Sequence, residues 1–171
     1  MPRYVALLRG VSPLNASMPD LKRSFEAAGF TQVKTLLSSG NVVFDARAVS
    51  EAALERKAVA AMEAGLGRGF AVILRKQSEL QQLVADDPFA AFKLSPQHKR
   101  VVTFLHDPPK EKPDLPVEKD GAHILALRGR ELLSAYLPGD KGPVFMTLIE
   151  RTFGKNVTTR TWDTVRKCAV A

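Results

Sequence analysis

One cysteine, one tryptophan and two tyrosines are all that the 171 residues hold of those types. With Cys168 alone, no internal disulfide can form, which fits a reducing cytoplasm. The chain also lacks the close cysteine or histidine pairs that zinc sites use. Its three histidines are His98, His106 and His123, and the first two flank one extended run at opposite ends, too far apart to chelate one ion. No metal is expected. No apolar run approaches the ~18 residues of a membrane span. The opening "MPRYVALLRG" carries an apolar run of only five residues, too short for a signal peptide. A cytoplasmic protein without a membrane partner is the expectation. Catalytic signatures are missing as well: there is no Gly-x-Ser-x-Gly elbow, no Walker loop and no dinucleotide fingerprint. "GLGRG" at 65–69 follows a helical pattern and precedes a strand, the reverse of what a dinucleotide loop needs. No cofactor and no catalytic residue is assigned, and the balance leans against an enzyme.

Hydrophobic residues make up 45% and charged residues 25%, the balance of a folded globular chain. Net charge is +7, which favours an anionic partner. The basic residues are dispersed, and the densest stretch is Arg151, Lys155, Arg160, Arg166 and Lys167.

Periodicity lays out the elements. "YVALL" at 4–8 reads as a strand ended by Arg9-Gly10. Ser17 fits a helix N-cap, with Pro19 in the first turn and Asp20 at the capping-box position. Met18, Leu21, Phe25 and Ala28 form one helical stripe, and Gly29 suits a left-handed end. "QVKTLL" and "NVVFDA" read as strands either side of the polar knot Ser38-Ser39-Gly40-Asn41. Ser50 caps a second helix whose inner face is Leu54, Ala58, Ala61 and Met62, with glycines 65, 67 and 69 as its stop. "FAVIL" at 70–74 is a fourth strand. The order β-α-β-β-α-β is that of a ferredoxin-like unit, with strand order 4-1-3-2. Beyond it, Ser78 is placed to cap a third helix ended by Pro88, and "RVVTFLH" reads as a strand. The proline-broken, charged segment 107–121 reads as an exposed loop. "AHILAL" and "ELLSAYL" flank Arg128-Gly129-Arg130 as a hairpin. A fourth helix closes at Gly154, "NVTTR" is extended, and Thr161 caps a last helix bearing Trp162, Val165 and Ala169. The expected fold is α+β: a ferredoxin-like βαββαβ subdomain over 1–77, packed with a smaller α+β subdomain with a C-terminal helix over 78–171.

Four segments together resemble one known family: "YVALLRG", "AGFTQVKTLLSSGNVVFDA" at 28–46, "GRELLSAYLP" at 129–138 and "VTTRTWDTVRKCA" at 157–169. They are similar to domain-of-unknown-function family 1697, a family of bacterial proteins. The resemblance implies an α+β fold with a ferredoxin-like first part, and it implies no activity. The chain departs from the family pattern in four places, one being the region before the hairpin, often helical in the family and proline-broken here. Its first loop is "VSPLNASMPD" where the family's is glycine-rich, its last segment has Thr161-Trp162-Asp163 in place of Asn-Trp-Asn, and "GDKGPVF" replaces a Ser-Lys helix start.

Topology supplies the one site hypothesis. Strands 1 and 2 run the same way, so Arg9-Gly10, the turn Ser38, Ser39, Gly40, Asn41 and the helix start at Ser17 should meet at one end of the sheet. An arginine, hydroxyl and amide groups and helix N–H groups suit a small anion such as phosphate, carboxylate or a nucleotide. The same residues serve equally well as turn and cap partners. Three other readings stay open. Non-specific nucleic-acid binding would rest on charge alone, since Asn41 and Val43 stand where an RNA-binding sheet of this topology has stacking rings. An enzyme would need a cleft between the subdomains holding a titratable pair. A scaffold or oligomerisation role is the third, and oligomeric state is not readable.

Overall fold

The structure, a computed structural model, describes residues 1–37, 39–111, 113–139 and 144–171, with the side chains of 144 and 145 left aside. It is a mixed α+β protein with two antiparallel sheets and five helices among the described residues. The chain divides into two compact units, residues 1–83 with 166–171, and residues 84–165.

The first unit carries β1 (Arg3–Arg9), α1 (Met18–Ala27), β2 (Thr31–Leu36), β3 (Asn41–Asp45), α2 (Glu51–Leu66) and β4 (Ala71–Lys76). Its sheet has the order β2-β3-β1-β4 with every pairing antiparallel. That is the expected 4-1-3-2 order read from the other edge. Even-numbered β1 residues Tyr4, Ala6 and Leu8 join Phe25, Phe44, Leu54 and Met62 in one apolar cluster with α1 and α2. The alternate residues Val5, Leu7, Val43 and Ile73 are buried too.

Local chemistry explains the helix ends. Ser17 accepts from the Asp20 N–H at 3.2 Å, and Ser50 accepts from Ala53 N–H at 3.1 Å, so both N-caps read from sequence are in place. At the far end of α1, the Gly29 N–H donates to Glu26 and the Phe30 N–H to Phe25. Gly29 stands at φ +96, and the rings of Phe25 and Phe30 meet at 5.5 Å. These are the two bonds and the apolar contact of a Schellman ending. The α2 stop differs from expectation. The helix runs through Gly65 and ends at Gly67, φ +77. A Cβ on Gly65 would lie 2.1 Å from Ser24 Oγ and 2.8 Å from its Cβ, so this glycine lets α1 and α2 approach closely.

A third helix, α3 (Gln77–Asp86), follows β4 directly. Ser78 therefore sits inside the helix and not at its cap. With no loop between strand and helix, it is the Glu79 carboxylate that accepts from Lys76 N–H, at 2.8 Å. Gln77 Nε2 donates to the carbonyls of Cys168 and Ala171, Gln81 Nε2 to that of Ala169, and Arg3 Nε to that of Ala171.

The second unit holds β5 (Lys99–Leu105), β6 (Val117–Lys119), β7 (Ala122–Arg128), β8 (Glu131–Tyr136), α4 (Val144–Phe153) and β9 (Val157–Thr161), and the final helix α5 (Trp162–Val170) starts there. Its sheet order is β6-β7-β8-β5-β9. The β7–β8 hairpin turns at Gly129, φ +61, as the sequence predicts. Gly154, φ +84, closes α4, and Thr161 Oγ1 accepts from Thr164 N–H to cap α5. The proline-broken segment is not all loop: Val117–Lys119 pairs with β7, and Leu115 and Val117 pack against the cluster of Val101, Ile124, Leu132 and Ile149. The prolines of this segment all precede β6, an edge strand, so none removes a donor from the ladder. The expected "GDKGPVF" departure lies largely outside the described residues.

Candidate functional site

Arg9 ends β1, paired with Ala71 on β4, and its side chain is half-buried on the sheet face opposite α1 and α2. The turn after β2 reaches this end of the strand. Leu8 N–H donates to the Gly40 carbonyl at 2.9 Å, and a Cβ on Gly40 would lie 2.9 Å from Val11 Cβ and 3.0 Å from Leu8 Cβ. Gly40 takes the positive φ, +84, and shares it with Leu37 at φ +58, while Asn41 is already the first strand residue. Arg9, Gly10, Gly40 and Asn41 therefore lie on adjoining stretches of backbone. Ser38 lies outside the described residues.

The polar groups of this region have structural work. Asn41 Nδ2 donates to the Leu36 carbonyl at 2.9 Å and to Ser39 Oγ at 3.0 Å, which ties the turn shut. Ser17 Oγ serves the α1 cap. Asn15, which the sequence reading passed over, organises the first loop: its Nδ2 donates to the Gly10 carbonyl at 2.8 Å and its Oδ1 accepts from Ser12 N–H at 2.9 Å. The signal was visible, since an asparagine three residues past a loop serine is a common turn-former. The open element is Gly10, exposed at φ +82 with nothing within 4 Å of the place a Cβ would occupy.

Polar side chains stand out in two other places. On the first sheet Arg75 faces the same side as Arg9, 1% exposed, with Nη1 donating to the Leu74 carbonyl at 2.9 Å. In the second unit Ser95 Oγ lies 2.8 Å from His98 Nδ1, which also accepts from Ser95 N–H at 3.1 Å. The His98 and His123 rings meet edge to face at 5.5 Å, and Glu118 is 3.8 Å from His123 Nδ1. A hydroxyl on an imidazole is half of a nucleophile–base pair, yet both bonds span three residues and close a local turn. Twenty-five positions separate His98 from His123, so only the sheet could unite them. Among the described residues, no group of three or more His, Cys, Asp or Glu is placed to hold a metal ion. At the end of β5, Asp107 is held below the ordinary carboxylate range, first by its hydrogen bond with His106 and by that ring's charge, with Arg130 adding to it.

Among the described residues no aromatic ring stands open on the first sheet: Tyr4 and Phe44 stack on one another at 5.9 Å inside the core. No described helix is long and apolar enough to cross a membrane.

The family model described as Protein of unknown function (DUF1697) matches residues 1–132. The chain belongs to this family. The matched stretch takes in the whole first sheet, the Arg9 end and the 37–41 turn, while the family-like segment at 157–169 lies beyond it. A solved structure of a conserved bacterial protein from Streptococcus pneumoniae has a similar fold, with TM-score 0.73 and 17% identity over 99% of this chain and 97% of that one. At that identity the likeness speaks for the fold alone. The comparison with curated proteins gave no match. Membership in the family brings no named biochemical function.

Proposed function

We propose that this family member binds a small anion, a phosphate, a carboxylate or the phosphate of a nucleotide, at the Arg9 end of its first sheet. The observation that carries the reading is the bond from Leu8 N–H to the Gly40 carbonyl. It seats the turn against the strand end and sets the backbone of Gly40 beside that of Leu8, next to Arg9 and the open backbone at Gly10. A guanidinium with its planar fork is the side chain best suited to grip such an ion. Ser17 and Asn41 contribute by holding backbone in place, since Ser17 Oγ caps α1 and the Asn41 amide closes the turn. A cytoplasmic setting belongs to the same reading, supported by a single cysteine that is fully buried. Cell fractionation with a tagged chain reads the location directly.

Calorimetry with phosphate, sulfate and nucleotides on the parent and on Arg9→Ala tests the site. Heat is expected in the parent and should be lost in the variant. Equal heats, or none in either protein, sink the reading.

A further inference from the structure

A second feature of the first unit lies by the opposite end of β1. A hollow of about 440 Å³ opens beside Met1, which precedes that strand, and is walled by Ala46 and Val49 after β3 and by Ala53 and Leu54 in the first turn of α2. That volume falls within the ~300–1,000 Å³ usual for small-molecule sites. Its wall is mainly apolar, and two of its side chains, Met1 and Val49, are left 77% and 53% exposed. Two cations stand at its edge, Arg47 and Lys57.

The placement of these charges is specific. Lys57 Nζ sits 4.6 Å over the Phe30 ring, so a cation–π contact draws the end of this flexible side chain to the rim beside Gly29. Arg47 has no ion pair among the described residues, whereas the carboxylate just ahead of it, Asp45, is engaged by Arg3 at 2.9 Å. The α2 start, with Ser50 as its cap, lies along the same wall and adds the positive end of a helix dipole. Two cations and a helix start on the wall, set against the Glu51 carboxylate in the first turn of α2, offer an anionic head its contacts, while the rest of the wall offers apolar surface.

We infer that this hollow binds a small amphiphilic anion, a molecule with a short apolar body and one carboxylate or phosphate head. The apolar body covers Met1, Val49, Ala53 and Leu54, and the head group meets Arg47 and Lys57. The site is separate from the one around Arg9, since the seven residues of β1 set the two roughly 20 Å apart.

The test is an NMR titration of the full-length, isotope-labelled chain with octanoate and octyl phosphate, kept below micelle-forming concentrations. Octanol and inorganic phosphate serve as controls. Amide shifts are expected at 46–54, 29 and 57, with both amphiphiles binding at least about tenfold tighter than either control. Arg47→Ala with Lys57→Gln should erase the advantage over octanol, because the head-group contact is lost while the apolar wall of Met1, Val49, Ala53 and Leu54 stays. Both side chains are exposed, and a thermal melt checks that this variant stays folded. Ala53→Leu, which fills the hollow, should weaken both amphiphiles, and Arg9→Ala should change nothing here. Shifts centred elsewhere, octanol binding as tightly as octanoate, or a cation variant that binds like the parent would each overturn the inference. A failure at Arg9 in calorimetry leaves it untouched.

Discussion

Gly40 stands where no other residue fits. Its φ of +84 is in the left-handed region, and its Cα faces Val11 and Leu8 with no room for a methyl group. Gly40→Ala meets both backbone strain and overpacking, and is expected to cost about 1–3 kcal/mol in urea unfolding. Gly10 has the same sign of φ, +82, with open space beside it. Gly10→Ala therefore carries only the backbone penalty and should cost less than Gly40→Ala in the same experiment. Asp107 offers a titration prediction. Its carboxyl is low first because of the bond with His106, so His106→Ala should raise its pKa toward the ordinary value of 3.8. Carboxyl carbon NMR across acid pH reads this directly. A side chain with 79% of its surface exposed makes the effect local, with no stability change expected.

At the scale of elements, the crossing of α1 and α2 turns on one pair. Gly65→Ala pushes a Cβ into Ser24, whose own hydroxyl is tied to the Asp20 carbonyl at 2.8 Å, so Ser24 has little freedom to move aside. A loss of about 1–3 kcal/mol is expected by thermal or chemical unfolding. Ser24→Gly in the same chain should return part of that loss, which separates crowding from helix propensity, where alanine is the better residue. The end of α1 is equally dependent on one ring. Phe30 lies against Phe25, Phe44 and the Lys57 ammonium. Phe30→Ala should cost about 3–5 kcal/mol, read by unfolding, and should also loosen Lys57 at the rim of the hollow.

For the whole molecule, each unit has its own sheet, and the residues of 166–171 are held in the first unit by side chains distant in sequence. Gln77 bridges two carbonyls of that segment, and Gln81 and Arg3 hold two more bonds. Gln77→Ala leaves the Cys168 carbonyl without this donor, and local opening of the segment should become more frequent. Cys168 is fully buried, so its labelling by a thiol reagent reports such opening. The rate is expected to rise in Gln77→Ala while the global melting temperature moves little. Equal rates in the two proteins would show that the segment stays closed without this side chain.

Much of the architecture followed from short-range chemistry. Ser17 and Ser50 before apolar stripes, Gly29 and Gly154 after them, and β-prone runs either side of Gly129 specify caps, ends and a hairpin through backbone bonds that span only a few residues. Such signals lie in the order of residues itself. The misreadings are those where distant contacts decided. Gly65 looked like a stop and is a spacer, because Ser24 of another helix lies against it. Val117 looked like loop and is strand, because β7 offered an edge. The approach of the turn to the end of β1 was foreseeable from strand direction, yet the pairing of Asn41 with Leu36 and Ser39 was not, since a side-chain amide has several acceptors within reach until the chain is folded. The hollow by Met1 had no trace in the sequence. Its wall comes from a residue before β1, a loop after β3 and a turn of α2, and only tertiary packing brings those three stretches to one place.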